Sequence, residues 1–338
     1  MACYKPLIRF YAPDNPDISG RVYTFARFRS ERAKNQKLTY EDLIYRKDVM
    51  LIPCGQCIGC KIQHRTDWAT RIEMEAKTWP KESVWFLTLT YDDQYIPAMC
   101  HDTGEIIRGM PYIKSEGGMK YVQTLWYEDI QLFLKRLRKT QNGQLRYFVA
   151  GEYGSKTARP HYHMILFGYY PEKIKPFHKT VNDGYFQDTR IEKLWKYGMH
   201  NMANPETKAY TYVAGYVTKK MDGENNNYNK LGMIPPFCQM SRMPGLGEKY
   251  YKENQEEIWK RGYIQLGSGK RAQIPRYFQK QREIENPRAI WEWKRERQQK
   301  AINGTKEQMG STDILFEQYM KNKEAVIKKK WRKGSSKI

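Results

Sequence analysis

The alternation of apolar and polar residues predicts strands separated by helices along the chain. Residues 84–91 (VWFLTLTY) form a run of β-branched and aromatic residues that predicts a strand. Residues 145–152 and 159–168 predict two more strands around a turn at 154–158, and therefore an antiparallel hairpin. Apolar residues at helical spacing predict an amphipathic helix over 124–139. The pattern indicates an α+β fold, with an antiparallel central sheet and helices packed on it.

The remaining segments give weaker signals. Thr66 is predicted to cap a helix that runs to about Trp79, with Trp68, Ile72 and Ala76 on one face. Further predictions, in chain order, are a loop-rich basic start (1–50), a long loop with a small hairpin (92–120), a weak strand (198–203), a helix that begins at Asn204-Pro205-Glu206 and ends near Met221, a polar linker (223–229) and a basic helical tail from about Pro287.

The charge balance of the 338 residues changes this picture. Lys and Arg outnumber Asp and Glu by 59 to 37, a formal net charge of +22. Such a field attracts polyanions, and nucleic acid is the first candidate because binding releases its counterions. A membrane surface is the competing partner, but it fits less well because the basic residues are spread along the chain.

The chain is expected in the cytoplasm, with no membrane association. No apolar run approaches the roughly 20 residues that a membrane span needs. The start, MACYKPLIRF, lacks the order of a signal peptide. The six cysteines are then expected to be free thiols or metal ligands rather than disulfides.

The most specific local feature is His161-Tyr162-His163 on the second strand of the hairpin. Residues two apart on a strand point to the same face, so both imidazoles can reach one metal ion. Glu152, at the end of the partner strand, completes a site of two histidines and one carboxylate. The alternative is two surface histidines beside a carboxylate in a turn.

A second feature is a pair of tyrosines in the helix that follows. Tyr212 and Tyr216 are four residues apart and so lie on one helix face, with Lys219 and Lys220 beyond them. Ammonium groups near a phenol favour its phenolate, which is the nucleophilic form. Gly215 costs about 1 kcal/mol relative to Ala inside a helix, which is understandable if backbone must approach DNA or the sheet closely. The alternative is a stripe of core tyrosines.

Taken together, these segments resemble the HUH endonuclease superfamily, whose members initiate rolling-circle replication, plasmid transfer and some transposition. More narrowly, the chain is similar to the replication initiators of gokushovirus-type microviruses, which are small single-stranded DNA phages. The segments that carry the resemblance are PCGQCIGC (53–60), FLTLTYDD (86–93), GEYGSKTARPHYHMILFG (151–168), YVAGYVTKK (212–220), SRMPGLG (241–247) and IPRYF (274–278).

The resemblance implies a role for each residue of the two features. Glu152, His161 and His163 would hold Mg²⁺ or Mn²⁺ against the scissile phosphate. Tyr212 and Tyr216 would be the nucleophiles, and attack would leave a 5′-phosphotyrosine and a free 3′-OH. That 3′-OH would prime a host polymerase, with a host helicase as a further partner, in the host bacterial cytoplasm. Tyr210 lies off the shared face and is expected to be structural.

The resemblance also implies how the chain contacts DNA. The FLTLT strand would lie near bound single-stranded or origin DNA, which makes Thr88 and Thr90 candidate DNA contacts. Basic residues among aromatic ones suit single strands, because cations follow phosphates while rings stack on bases. Such residues are Arg242, Lys270, Arg271 and Arg276, with Tyr263, Tyr277 and Phe278 among them, and the tail 326–337 has a similar composition.

The cysteines Cys54, Cys57 and Cys60 are spaced as ligands of a structural zinc ion. The fourth ligand is either His64 or Cys3, since MACYKPL also resembles the start of the family. An iron–sulfur cluster and a tight turn with buried thiols are the alternatives. Cys100 and Cys238 have no partners in sequence and are expected to be core or loop thiols.

On this basis the chain divides into an N-terminal extension with the cysteine cluster (1–80), a nuclease domain (81–222), a basic aromatic DNA-contacting region (223–285) and a basic helical tail (286–338). Two other functions fit parts of the pattern. One is a plasmid relaxase or transposase, although SRMPGLG and IPRYF favour the initiators. The other is a non-catalytic nucleic-acid-binding protein with a zinc module.

Overall fold

The fold was determined as a computed structural model, and the structure divides into two compact units, residues 65–275 and residues 1–64 with 276–338. The division of the sequence into four regions stays a prediction, because a compact unit need not match a functional region. The structure describes residues 3–12, 15–23, 46, 49–109, 114–115, 118–119, 121–141, 143–177, 184–219, 225–310 and 316–335.

The strands of the described residues are β1 (Leu7–Ala12), β2 (Asn15–Tyr23), β3 (Val49–Ile52), β4 (Val84–Thr90), β5 (Pro97–Cys100), β6 (Ile106–Arg108), β7 (Lys114–Ser115), β8 (Gly118–Met119), β9 (Tyr121–Gln123), β10 (Arg146–Tyr153), β11 (Pro160–Phe167), β12 (Ile174–Pro176), β13 (Phe186–Asp188), β14 (His200–Ala203), β15 (Phe237–Met240), β16 (Ile264–Gln265) and β17 (Arg271–Ala272). The α-helices are α1 (Ile58–Ala76), α2 (Tyr127–Thr140), α3 (Thr189–Leu194), α4 (Thr207–Lys219), α5 (Asn225–Lys230), α6 (Glu248–Arg261), α7 (Arg276–Glu285), α8 (Pro287–Met309) and α9 (Phe316–Ser335).

A seven-stranded sheet forms the centre of the unit 65–275. Its strand order is β12-β13-β14-β4-β11-β10-β15, and every neighbouring pair is antiparallel. The predicted hairpin is confirmed as β10 and β11, with the predicted strand 84–91 beside it as β4. The predicted weak strand is β14. The α+β fold class is therefore confirmed.

Each face of this sheet is covered by helices, because alternate residues of the strands are apolar on both sides. On one face Tyr162 and Met164 are buried under α2, whose helical apolar stripe was predicted from the sequence. On the other face Ile165 and Phe167 are buried under α1 and α4. Residue 163 has the parity of this second face, so His161 and His163 point towards α4.

A buried ion pair ties α1 to the sheet. Arg146 Nε on β10 lies 2.7 Å from Glu75 Oε1 on α1, and both side chains are almost fully buried. The same carboxylate accepts hydrogen bonds from Trp79 Nε1 at 3.1 Å and from the backbone N–H of Gly247 at 2.8 Å. The SRMPGLG segment is thereby held against α1.

The predicted helix boundaries need two corrections. Helix α1 begins at Ile58 rather than after Thr66, because the Cys54 thiol accepts a hydrogen bond from the backbone N–H of Cys57 and the carbonyl of Cys57 accepts one from Lys61. Those contacts start the helix two turns before Thr66. The face with Trp68, Ile72 and Ala76 is confirmed as the buried one.

Helix α4 begins at Thr207, three residues after its predicted cap. The carbonyl of Glu206 is the first to accept helical hydrogen bonds, from the N–H groups of Ala209 and Tyr210. Asn204 and Pro205 therefore belong to the connection from β14. The predicted end near Met221 lies outside the described residues.

Two predicted loops contain regular structure. Residues within 92–120 form a small antiparallel sheet of β6, β5 and β9, together with the short hairpin of β7 and β8. Residues 225–230 of the predicted polar linker form α5, although Asn is a poor helix former. The ring of Tyr228 stacks on Tyr153 at 5.4 Å, a tertiary contact that outweighs the local preference.

The unit of residues 1–64 and 276–338 also has its own core. Strands β2, β1 and β3 form an antiparallel sheet in the start of the chain, which the sequence pattern presented as loop. Its buried Ile8 and Leu51 pack with Ile302 and Phe316 from the C-terminal helices. The helical nature of the tail from Pro287 is confirmed, with Asn286 as its cap.

Among the described residues, no helix has the length and apolar character to cross a membrane.

The ion pair between α1 and the sheet gives a stability prediction. Replacing Glu75 by Ala leaves the Arg146 charge buried without its carboxylate and is expected to cost about 3–5 kcal/mol in free energy of unfolding, measured by urea titration. Glu82→Ala, at an exposed acid, is the control and is expected to stay within about 0.5 kcal/mol of wild type. Equal stability of both variants would show that the pair contributes nothing.

Candidate active site

The register of the hairpin brings a carboxylate and two imidazoles together. Glu152 on β10 is the direct partner of His161 on β11, and His163 lies two residues further on the same face. Glu152 Oε1 is 2.9 Å from His161 Nε2 and 3.3 Å from His163 Nε2. One ligand atom from each residue lies within 4.8 Å of the others, so the group can hold a metal ion.

The hydrogen-bond partners of His161 fit a cation at this position. Its Nδ1 lies 3.1 Å from the carbonyl oxygen of Arg159, while its Nε2 faces the carboxylate of Glu152. Both partners accept hydrogen bonds, whereas a neutral imidazole has a single N–H. If Nδ1 donates to the carbonyl, Nε2 presents a lone pair beside a carboxylate. A cation between them satisfies both atoms.

His163 is held by contacts on three sides. Its Nδ1 lies 3.1 Å from the hydroxyl of Thr88 on β4. Its ring stacks on that of Phe86 at 5.6 Å and on that of Tyr216 at 5.5 Å, with an interplanar angle of 13° for each pair. The ring is thereby fixed in orientation, with Nε2 directed towards Glu152.

Both tyrosines of α4 reach this cluster. The hydroxyl of Tyr212 lies 3.3 Å from His163 Nε2, and the hydroxyl of Tyr216 bonds to the carboxylate of Glu152. The two rings are 5.2 Å apart and nearly perpendicular. One helix turn therefore presents two phenols to the same group of ligand atoms.

The surroundings of the phenols disfavour ionisation in the absence of a cation. Burial raises the pKa of Tyr216 above its ordinary value, and the charge of Glu152 raises that pKa further. Burial also raises the pKa of Tyr212. Lys219 and Lys220 were expected to act in the opposite direction, but the side chain of Lys219 and the whole of Lys220 lie outside the described residues.

Tyr210 takes no part in the cluster and is a core residue. It is 8% exposed and packs with Val213 and Leu246. Burial raises its pKa to about 12, with a further contribution from the charge of Glu73.

An arginine that the sequence did not single out also lies at the tyrosine helix. Arg65 on α1 donates from Nε to the carbonyl of Thr211 at 3.1 Å, and its guanidinium lies over Gly215. A Cβ at position 215 would be 3.3 Å from Cζ of that guanidinium. The group interacts electrostatically with Tyr216. No motif marks Arg65, which is one of 59 basic residues.

The candidate DNA contacts have different surroundings. Thr88 and Thr90 are half-buried, and their hydroxyls bond to His163 and to the carbonyl of Met199. Phe278 is fully buried, so it belongs to the core and cannot stack on a base. The guanidinium of Arg271 lies 4.6 Å from the ring centre of Tyr263. The basic candidates with exposed side chains are Arg242, Lys270, Arg271 and Arg276.

The cysteine cluster is a second group that can hold a metal ion. Sulfur atoms of Cys3, Cys54, Cys57 and Cys60 lie within 4.8 Å of one another, and all four thiols are free. Two of the distances are 3.8 Å, between Cys57 and Cys3, and 3.9 Å, between Cys54 and Cys60. Of the two candidates for the fourth position, the structure brings in Cys3, and His64 is not part of the group.

Hydrogen bonds to sulfur favour a thiolate within this cluster. The thiols of Cys3 and Cys60 lower the pKa of Cys57 far below its ordinary value, while the contact with Cys57 raises the pKa of Cys3 to about 12. The backbone N–H of Tyr4 also points at the sulfur of Cys57, at 3.3 Å. Thiolate is the form that binds metal. Cys100 is a buried thiol and Cys238 a half-buried one, as expected.

Known proteins resemble the chain in sequence. The family described as replication-associated protein ORF2/gene-2 protein matches residues 84–221, which include the tyrosines and the Glu–His–His group. The replication-associated protein ORF2 of Spiroplasma virus 4 is 30% identical over 241 residues, which are 69% of this chain and 68% of that protein. The VP4 protein of Bdellovibrio phage phiMH2K, also replication-associated, is 29% identical over 67% of this chain and 66% of its own length.

A third relative is the replication-associated protein ORF4 of Chlamydia phage 1, which is 30% identical over half of this chain and 38% of its own length. No solved structure matches the chain. The match to the Spiroplasma virus protein runs over two thirds of the chain at 30% identity, and the family match includes the residues that form the Glu–His–His group. The chain therefore belongs to the family of replication-associated proteins of small microvirus-type phages.

Proposed function

We propose that this chain initiates rolling-circle replication by nicking one DNA strand with a tyrosine and staying attached to the 5′ end. Family membership supports a role in replication. The observation that supports the nicking chemistry is the convergence of Glu152, His161 and His163 with the hydroxyls of Tyr212 and Tyr216. A nucleophile within reach of a metal-ligand group is the arrangement that strand transfer needs.

The donor set fits a divalent cation, for which we propose Mg²⁺ or Mn²⁺. Two imidazoles and one carboxylate leave coordination positions for a phosphate oxygen and water. Mg²⁺ prefers oxygen ligands, so two nitrogen donors favour Mn²⁺ at low concentration. When bound, the cation would polarise the phosphoryl oxygens and offset the charge of Glu152.

The residues of the chain define the transfer step. The Tyr216 oxygen forms a bond to phosphorus, and the bond from phosphorus to the 3′ oxygen breaks. The phenol loses its proton and the 3′ oxygen gains one, so the products are a 5′-phosphotyrosine and a 3′-OH. The stacked rings of Phe86 and Tyr216 keep His163 oriented while the phosphate changes partners.

Two phenols are needed for a complete round of replication. When the origin has been copied, the first tyrosine still carries the 5′ end, so a second nucleophile must cut the regenerated site. Tyr212 lies one helix turn from Tyr216 and contacts the same ligand group through His163. The freed 3′-OH can then attack the first phosphotyrosine and close the circle.

The proposed partners follow from this reaction. The chain would bind single-stranded and origin DNA, for which Arg242, Lys270, Arg271 and Arg276 are exposed candidate phosphate contacts. The 3′-OH would prime a host polymerase, with a host helicase opening the duplex. Both are proteins of the host cytoplasm, where we propose that the chain acts.

For the cysteine cluster we propose a structural zinc ion held by Cys3, Cys54, Cys57 and Cys60. A zinc–sulfur bond of about 2.3 Å in a tetrahedron separates the sulfur atoms by about 3.8 Å. The two sulfur–sulfur distances of 3.8 and 3.9 Å agree with that value. Four cysteine ligands leave no open position for chemistry, so the role would be structural.

The first test concerns the metal ligands. His161→Ala and His163→Ala are each expected to lower the rate of single-strand nicking by about 100-fold or more, because metal catalysis contributes several kcal/mol. DNA affinity should change little, since it rests on many phosphate contacts. His101→Ala, at an exposed histidine, is the control. Wild-type nicking by both variants, or nicking that persists in EDTA, would contradict the metal site.

The second test concerns the nucleophiles. Tyr216→Phe is expected to lose most nicking, whereas Tyr212→Phe should nick once but fail to release closed circles. Mass spectrometry of the DNA-linked peptide identifies the attacking residue. Tyr210→Phe, on the same helix, is the control and should keep both activities. A phosphodiester on Tyr210, or none on any tyrosine, would refute the assignment.

The third test concerns the cysteines. The purified chain is expected to contain about one zinc ion, and Cys57→Ser with Cys60→Ser should remove it. Because metal binding contributes folding free energy, the double variant should melt about 5–10 °C lower. Cys100→Ser with Cys238→Ser removes two thiols outside the cluster and should keep the zinc. Elemental analysis that finds neither zinc nor iron in the wild type would leave only buried thiols.

A further inference from the structure

One basic residue of helix α1 reaches across to the tyrosine helix. Arg65 donates from Nε to the carbonyl oxygen of Thr211 at 3.1 Å. Thr211 is one turn before Gly215, and the guanidinium lies against the helix at that glycine. The contact with a neutral carbonyl orients the guanidinium without neutralising it.

The glycine at position 215 has a spatial role. It lies inside α4 and is not among the glycines with positive φ, so the backbone conformation does not require it. Glycine is disfavoured relative to alanine within a helix. A Cβ there would lie 3.3 Å from both Cζ and Nε of Arg65 and 3.4 Å from Nη2. The missing side chain therefore leaves room for the guanidinium, rather than for DNA or the sheet as the sequence suggested.

The charge of Arg65 acts on Tyr216. Burial lowers the pKa of Arg65, and the interaction with Tyr216 works in the opposite direction. Arginine stays protonated in proteins even so. The positive charge that the sequence analysis looked for in Lys219 and Lys220 is thus supplied, within the described residues, from another helix. Tyr212 shows no corresponding interaction in the causes of its pKa shift.

We propose that Arg65 binds the phosphate that Tyr216 attacks, and that Gly215 is required because it lets the guanidinium lie there. This inference rests on the proposed nicking function. A planar guanidinium offers paired N–H donors that match two phosphate oxygens. Negative charge spreads over those oxygens during phosphoryl transfer, so a fixed cation beside the attacking phenol stabilises the transition state.

The proposal predicts a defect that is specific to one tyrosine. Arg65→Gln is expected to lower kcat for nicking at least about tenfold while the KM for DNA changes less than about threefold. Linkage to Tyr216 should fall, and the remaining covalent product should shift towards Tyr212. Arg65→Lys keeps the charge but loses the paired donors, so its rate should lie between those of wild type and Arg65→Gln.

A double-mutant cycle tests the link between the two residues. Gly215→Ala should lower kcat about fivefold or more when Arg65 is present and less than about twofold in the Arg65→Gln background, because the displaced group is then already gone. Arg71→Gln is the matched control: Arg71 lies on the same helix and also donates from Nε to a backbone carbonyl, that of Leu246. Its kcat should stay within about twofold of wild type.

The substrate for these measurements is the oligonucleotide that the wild-type chain links most efficiently from a random single-stranded pool with Mn²⁺. Wild-type nicking rates in Arg65→Gln would overturn the inference, as would an effect of Gly215→Ala that is equal with and without Arg65. Equal loss of linkage at both tyrosines would also overturn it, since that marks general damage. If the wild-type chain itself forms no covalent product, the proposed function fails instead.

Discussion

The antiparallel register of β10 and β11 is the constraint on which the candidate site depends. Because Glu152 pairs directly with His161, the carboxylate and both imidazoles share one face and one end of the hairpin. A slip by one residue would turn all three side chains to the face covered by α2. The same parity directs them towards α4, so the register also decides which helix can supply nucleophiles. The turn at 154–158 and the burial of both faces fix that register.

Much of this could be read from the sequence, because the signals are local. Glu152 and His161 are nine residues apart, and the apolar alternation with the turn between them gives both the strands and their pairing. Tyr212 and Tyr216 share a helix face by spacing alone. The distant relations could not be predicted. The bond of Thr88 to His163 and the contact of Arg65 with Thr211 join residues 75 and 146 positions apart, and no motif announces either.

The elements that the sequence missed have the same cause. The sheet of β1, β2 and β3 pairs Leu7 with Ile52 across a long separation, so its short strands look like loop when taken singly. Helix α5 forms from asparagines because a tertiary stack outweighs their preference. The early start of α1 depends on thiols that act as hydrogen-bond acceptors. That start also brings Cys57 and Cys60 to the first turn of the helix, beside Cys3.

The central claim is that the register-determined group of Glu152, His161 and His163 binds a cation within reach of the tyrosine helix. Anomalous scattering from crystals of the full chain soaked in Mn²⁺ tests it most directly. The account predicts a peak bonded to Nε2 of both histidines and to an oxygen of Glu152, with the hydroxyl of Tyr216 facing the open side. Well-ordered crystals with no Mn²⁺ peak between these three residues would contradict it.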